Sequence, residues 1–370
     1  MTNLQRVAVV TSHLASGDAV SNDVVGMWRA LMGRGVEARI YAGSWDFSDP
    51  TVHPVAEIRQ FLKEPADLLI YHHSIAWTPG RELLRERSFR KAIKYHNVTP
   101  PEFFAGVSPW HEEMCRVGRE ELREVATAGC DLYLADSEYN RQELLRAGAP
   151  GELSFVVPPF HHIDRLKAIE ADFDVLDEYR DGRANVLMVG RVAPHKGHVA
   201  LIEGFAAYHH DYNRASRLVV VGKEEAPFKI YSDRLREVVT FLLLEGAVVF
   251  TGEATDEALK SYYLLAHVFA IMSEHEGFCV PIVEAMSMKV PVVAYSSSAV
   301  PFTAGGAALL LEERNPYFLA EAIDRLARDE SLGLALGTKG WRRYEQQFSN
   351  EKIETDFFDA LSNLEWLSER

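Results

Sequence analysis

Short apolar runs alternate along this chain with longer stretches whose apolar residues recur at helical spacing. In the first half the runs predict strands at Val7–Thr11, Ala38–Tyr41, Leu68–Tyr71, Ala92–Tyr95, Leu132–Ala135 and Phe155–Val157. A helix from about Asn22 to Arg34, ending at Gly35, is expected between the first two. Pro158-Pro159 closes this half, and residues 161–182 read as a polar, partly helical connection. The pattern then restarts with strand Asn185–Val189, helix Val199–His209, strand Ser216–Val221, helix Ser232–Leu244, strand Ala247–Phe250 and helix Asp256–Leu265. Strand Val268–Met272, helix Ile282–Met288, strand Val292–Ala294 and an amphipathic tail, Asn350–Leu367, complete the series.

Strands alternating with helices wind a parallel α/β sheet, and a pattern that begins twice implies two such sheets. The expected fold class is therefore α/β, with two doubly wound, Rossmann-like domains facing a cleft. The boundaries fall at 1–165, 166–349 and 350–370. A chain of 370 residues is long enough for two cores of ordinary size.

Open α/β sheets bind ligands at the carboxyl ends of their strands, so the loops there hold the candidate chemistry. The most informative is Glu276-Gly277-Phe278-Cys279-Val280-Pro281-Ile282-Val283-Glu284, between the run ending at Ser273 and the next helix. Backbone N–H groups at a helix start favour anions, but carboxylates repel phosphate. Glu276 and Glu284 are thus acceptors suited to sugar hydroxyls, or, more plainly, a loop charge and a helix-dipole partner. A second loop, Gly190-Arg191-Val192-Ala193-Pro194-His195-Lys196-Gly197, offers the fork of an arginine and the point charge of a lysine, a pair that suits a diphosphate.

Together these strings resemble retaining GT-B glycosyltransferases, above all glycosyltransferase family 4. The resemblance implies that Glu276 contacts the donor sugar, that the Gly277, Phe278, Cys279 and Val280 backbone meets the donor, and that Glu284 holds the ribose. Cys279 stands where that family more often has glycine. Gly190, Arg191 and Lys196 would bind the diphosphate, with Lys223 nearby. The resemblance further implies retention of configuration at the anomeric carbon and a C-terminal helix that crosses back to the N-terminal domain. The implied substrate is a nucleoside-diphosphate sugar, GDP-mannose before a UDP-sugar, and the acceptor a saccharide or lipid-linked saccharide. The alternatives are a non-transferring enzyme of the same fold, such as a sugar-nucleotide epimerase, or a silent nucleotide-sugar binding protein.

The N-terminal half contributes looser candidates. Gly17 could bring a backbone amide to the donor, and Asp18 and Asn22 are acceptor-side candidates, with Asn22 alternatively a helix cap. A lone histidine at a strand end is more often structural. The resemblance, however, implies a histidine here whose imidazole or adjacent backbone lies near the donor sugar. His96, before Pro100-Pro101, is therefore the catalytic candidate of this half, and His72 and His73 are acceptor-side candidates on the same cleft edge. The first loop is not G-x-G-x-x-G, which removes the main support for a dinucleotide oxidoreductase. No cofactor and no metal are expected: no D-x-D follows a strand where a metal-bridging pair would stand.

Charge adds two constraints. The net charge of −15 argues against a nucleic-acid partner. Against that background, residues 81–94 carry six basic and two acidic residues among Leu83, Leu84, Phe89 and Ile93. That pattern is expected to form a basic amphipathic helix, either a peripheral contact for an anionic membrane or a solvated face. Pro100–Phe104 with Trp110 reads as an aromatic-bearing loop. The three cysteines are too widely spaced for a metal motif or disulfide framework, and the first strand begins at Arg6, so a cytoplasmic protein is expected.

Overall fold

The thirteen strands of this computed structural model, which describes residues 6–46 and 49–368, fall into two wholly parallel sheets. The first sheet contains β1 (Arg6–Leu14), β2 (Glu37–Trp45), β3 (Val52–Pro54), β4 (Leu68–His73), β5 (Arg90–Tyr95), β6 (Leu132–Ala135) and β7 (Ser154–Val156), in the order β3-β2-β1-β4-β5-β6-β7. The second contains β8 (Ala184–Val189), β9 (Ser216–Val221), β10 (Val248–Gly252), β11 (Val268–Ile271), β12 (Val292–Tyr295) and β13 (Leu309–Leu311), in the order β10-β9-β8-β11-β12-β13. Strands buried on both faces need apolar residues throughout, and β1, β4, β8 and β11 are such runs.

The chain divides into two compact units. One comprises residues 1–101, 113–162 and 349–370, and the other comprises 102–112 and 163–348. In the first unit the helix Ala19–Gly33 lays Val24, Met27 and Leu31 on β1 and β2. The helix Asn350–Ser368 brings Ile353, Phe357, Leu361 and Leu364 into that same core. The second unit packs Leu201, Ile202 and Phe205 of helix His198–Ala207 against Leu319 and Ile323 of helix Pro316–Arg328.

Several expectations are corrected. Residues 81–94 are not one basic helix: a helix covers only Thr78–Leu84, and Arg90–Tyr95 is β5. Most of the six basic side chains there have partners or are buried. Lys91 donates to the Leu84 carbonyl, Lys94 is fully buried, and Arg81 and Arg85 pair with Glu124. A lysine with a long aliphatic stem can occupy a core position when its ammonium finds acceptors, so the strand expected at Ala92–Tyr95 begins two basic residues earlier, at Arg90. The segment with Trp110 is not simply an aromatic loop either. Trp110 lies in the first turn of the helix Pro109–Ala126, whereas Phe104 is buried against Phe228, with ring centroids 5.7 Å apart. The first long helix begins three residues earlier than expected, at Ala19, because Asp18 and not Asn22 is its cap.

Candidate functional site

In the second unit, β8 leads through Gly190 and Arg191 into a short turn, Pro194–Lys196, and the helix His198–Ala207. Gly197 joins turn to helix with φ of 68°, and a Cβ there would lie 1.9 Å from the Met272 carbonyl oxygen. Only glycine lets this loop lie on the end of β11. The close approach brings Lys196 to the glutamate turn. Its ammonium donates to both carboxylate oxygens of Glu276, at 2.8 and 2.9 Å. Glu276 is buried, and its backbone N–H donates to Ser298 Oγ at 2.7 Å.

The turn ends at Cys279, which has φ 76° and ψ 68° and stands immediately before the helix Val280–Ser287. A left-handed conformation at this point is glycine's natural territory, and a cysteine holds it at a cost of about 1 kcal/mol. Burial pushes the Cys279 thiol far up, helped by the charge of Glu276, so this sulfur is packing rather than a nucleophile. Glu284, on the buried face of the helix, accepts a 2.6 Å hydrogen bond from the Tyr263 hydroxyl. Burial and the Glu284 carboxylate together keep Tyr263 protonated.

Three cations of this unit differ in freedom. Arg191 is 46% exposed, its nearest acid Glu225 at 3.5 Å, and Lys223 is 57% exposed, with Glu253 at 3.9 Å. Lys196 is only 16% exposed. His195 beside them is buried, and burial, then the charges of Lys196 and Arg191, drive its imidazole well below the ordinary histidine range. Phe103 and Phe104 of the segment 102–112 lie over it, with centroids 6.3 and 5.8 Å away.

In the first unit Gly17, at φ 75°, precedes Asp18, whose carboxylate caps the helix by accepting from the Ser21 N–H at 3.0 Å. Asp18 therefore has a structural duty, and Asn22 Nδ2 is 3.3 Å from His162 Nδ1. His72 and His73 do not line an open edge: both are buried. Burial depresses His73 to about 4 and holds His72 well below the usual range. His96 does lie at the end of β5, but both ring nitrogens are engaged. Nε2 is 2.8 Å from His72 Nδ1, and Nδ1 is 2.8 Å from Asp136 Oδ2.

Sequence reasoning missed Asp23, Lys94, Asp136, Tyr263, Glu225 and Ser298. Two had a visible signal. Asp23 falls on the apolar stripe with Val24, Met27 and Leu31, and Lys94 interrupts the run Ala92-Ile93-Lys94-Tyr95; both are charges at core positions. The others become neighbours only through the sheet.

Residues 175–343 match the family described as glycosyl transferases group 1. Among curated relatives, the chain is 26% identical over 259 residues to the GDP-mannose-dependent alpha-(1-6)-phosphatidylinositol monomannoside mannosyltransferase of Mycobacterium tuberculosis, covering 67% of this chain and 66% of that protein. It is 25% identical over 308 residues to the O-antigen chain mannosyltransferase B of Escherichia coli, covering 80% of this chain and 74% of that one. The match thus spans just under two thirds of the mycobacterial relative's length. Among solved structures, Anabaena Alr3699/HepE in complex with UDP and glucose superposes with a TM-score of 0.76 at 17% identity, over 97% of this chain and 99% of that one. WaaG, a glycosyltransferase involved in lipopolysaccharide biosynthesis, gives 0.72 at 15% identity, over 94% and 98%. These likenesses identify the fold as GT-B.

Proposed function

We propose that this chain, a GT-B glycosyltransferase of the group 1 type, moves a hexose from a nucleoside-diphosphate sugar to a hydroxyl of a saccharide or lipid-linked saccharide. The observation that carries this reading is the Lys196–Glu276 pair at the carboxyl end of the second sheet. A cation and a carboxylate paired in this way can exchange partners when a donor arrives. The diphosphate takes Lys196 and the neighbouring Arg191, and the freed Glu276 accepts from sugar hydroxyls.

Cleaving the anomeric carbon–oxygen bond builds negative charge on the leaving diphosphate. Two fixed cations and the N–H groups at the start of helix Val280–Ser287 offset that charge without a divalent ion at the diphosphate. Glu284, steadied by Tyr263, faces the ribose, with Gly190, Gly277, Phe278, Cys279 and Val280 supplying backbone around the donor and Lys223 a further cation. Configuration is retained, and the leaving phosphate oxygen takes the acceptor's proton. The relatives' names favour GDP-mannose as donor. A UDP-sugar is the second reading, favoured by the neighbour seen with UDP and glucose.

Titration calorimetry on Glu276→Gln and Glu284→Gln, with GDP and with UDP, tests the assignment. Glu284→Gln should weaken the bare nucleotide about tenfold, the worth of one charge-assisted hydrogen bond. Glu276→Gln should leave nucleotide affinity nearly intact and lower transfer. Equal losses in both variants would undo the assignment, and the tighter nucleotide names the base.

A further inference from the structure

The first sheet brings together three side chains to which the transfer proposed above assigns no step. In the parallel pairing of β4 and β5, His72 stands opposite Lys94, and His96 lies two residues beyond Lys94 on the same face. Asp23 reaches the same point from the buried side of helix Ala19–Gly33. His72 Nδ1 and His96 Nε2 are 2.8 Å apart, and Asp23 Oδ2 is 3.6 Å from each. We propose that these three atoms form a binding site for a late first-row divalent cation, with Zn²⁺ as its representative.

The spacing fits the ion. Bonds of about 2.0–2.1 Å in tetrahedral array hold ligand atoms about 3.3 Å apart, in the middle of the observed range. The donor set of two imidazole nitrogens and one carboxylate oxygen suits zinc and its neighbours, whereas magnesium and calcium take oxygens. The outer contacts are those of a metal-binding histidine. His96 turns its other nitrogen to Asp136 Oδ2 at 2.8 Å, which leaves the Nε2 lone pair facing the site.

A second observation points the same way. Asp23 is fully buried; its Oδ1 accepts from the Phe160 N–H at 2.8 Å, yet Oδ2 has no hydrogen-bond partner. Buried carboxylate oxygens are seldom left so. Lys94 does not supply the missing partner. Its ammonium is 3.7 Å from Asp23 Oδ2, and is occupied by the Val157 carbonyl and by Asp136 Oδ1 at 2.8 Å. With Asp23 ionised, two carboxylates stand against one ammonium, and a bound cation would offset the excess negative charge. A single hydrogen bond between the two rings does nothing for Asp23 Oδ2.

The test uses the full chain, stripped with chelator and titrated with Zn²⁺ and Co²⁺. One equivalent should bind with imidazole coordination, giving the intense visible absorption of four-coordinate cobalt and a raised melting temperature. Asp23→Asn and His72→Gln should each remove that equivalent and its spectrum; circular dichroism confirms that they are folded. Absence of a bound equivalent in the wild type, or an octahedral cobalt spectrum typical of surface histidines, overturns the site. So does unchanged stoichiometry in both folded variants. If a variant does not fold, the wild-type stoichiometry and spectrum decide.

Discussion

Both units gather ionisable side chains toward the carboxyl ends of parallel strands, but they handle the charges in opposite ways. In the first, Asp23, His72, Lys94 and Asp136 are almost wholly buried and packed against one another, although Asp23 Oδ2 and His72 Nε2 have no hydrogen-bond partner. Burial pushes the Asp23 carboxyl up. Asp136 feels the same push, but the charges of His96 and Lys94 outweigh it and hold Asp136 below the usual range. In the second, Arg191 and Lys223 stand in solvent, loosely paired with acids at 3.5 and 3.9 Å, and Lys196 is held by one carboxylate that a ligand could displace. A closed network fixes geometry and is expensive to break; an open one is available to a substrate. The difference teaches that similar residue types on similar sheets serve structure or binding according to what water they keep.

Breaking the closed network should have the largest effect. Asp136→Ala leaves the Lys94 ammonium buried without its 2.8 Å carboxylate. Removing one member of a buried ion pair costs about 3–5 kcal/mol, to be read as a lower denaturation midpoint. Activity per folded molecule that fell while stability held would erase the contrast between the units.

Arg191→Ala tests the open network. Losing one cation that meets developing negative charge should cost about 3–4 kcal/mol, or roughly a hundred- to a thousand-fold in turnover. Because the side chain is 46% exposed and its acid is 3.5 Å away, melting should hardly move. Near-normal turnover would remove Arg191 from the site.

Acid should act on both units through buried neutral histidines. His73 is held down to about 4 and His198 to about 3, in each case by burial first. The unfolded chain protonates near 6.5 while the folded rings do not, so it takes up more protons as pH falls through that window. Stability is therefore full above about pH 6.5 and lost toward pH 4, by about 3 kcal/mol for His73. A denaturation midpoint flat from pH 7 to 4 would contradict the buried neutral state.

The smallest effect belongs to Arg85→Ala. Its ion pair with Glu124 is at the surface, so the change should cost less than about 1 kcal/mol in chemical denaturation. A larger loss would mean that the basic surface has a structural duty like the buried cluster's.

Hydrophobic periodicity determined a good deal by itself. It separates two parallel sheets, and it locates β8 to β12 and the helix Asp256–Leu265 to within two residues at each end, because strands buried on both faces must be apolar runs. It also marked the Gly190–Gly197 loop and the Glu276–Glu284 turn, where strand-to-helix junctions carry charge. It failed at β3 and β13, three-residue strands too short to show a period. Over residues 81–94 it found the strand at Ala92–Tyr95 but also read a basic helix across it, because Lys91 and Lys94 are polar residues that fill core positions.

Pairings were beyond its reach. That Lys196 meets Glu276, 80 residues away, follows from Gly197 lying against Met272. That His96 turns inward to His72, Asp23 and Asp136 follows from the register of β4 with β5 and the packing of one helix. A strand's pattern says that a side chain points to one face or the other. Only the tertiary structure decides which distant charge waits there, because burial makes that partner obligatory and the chain's long-range packing alone supplies it.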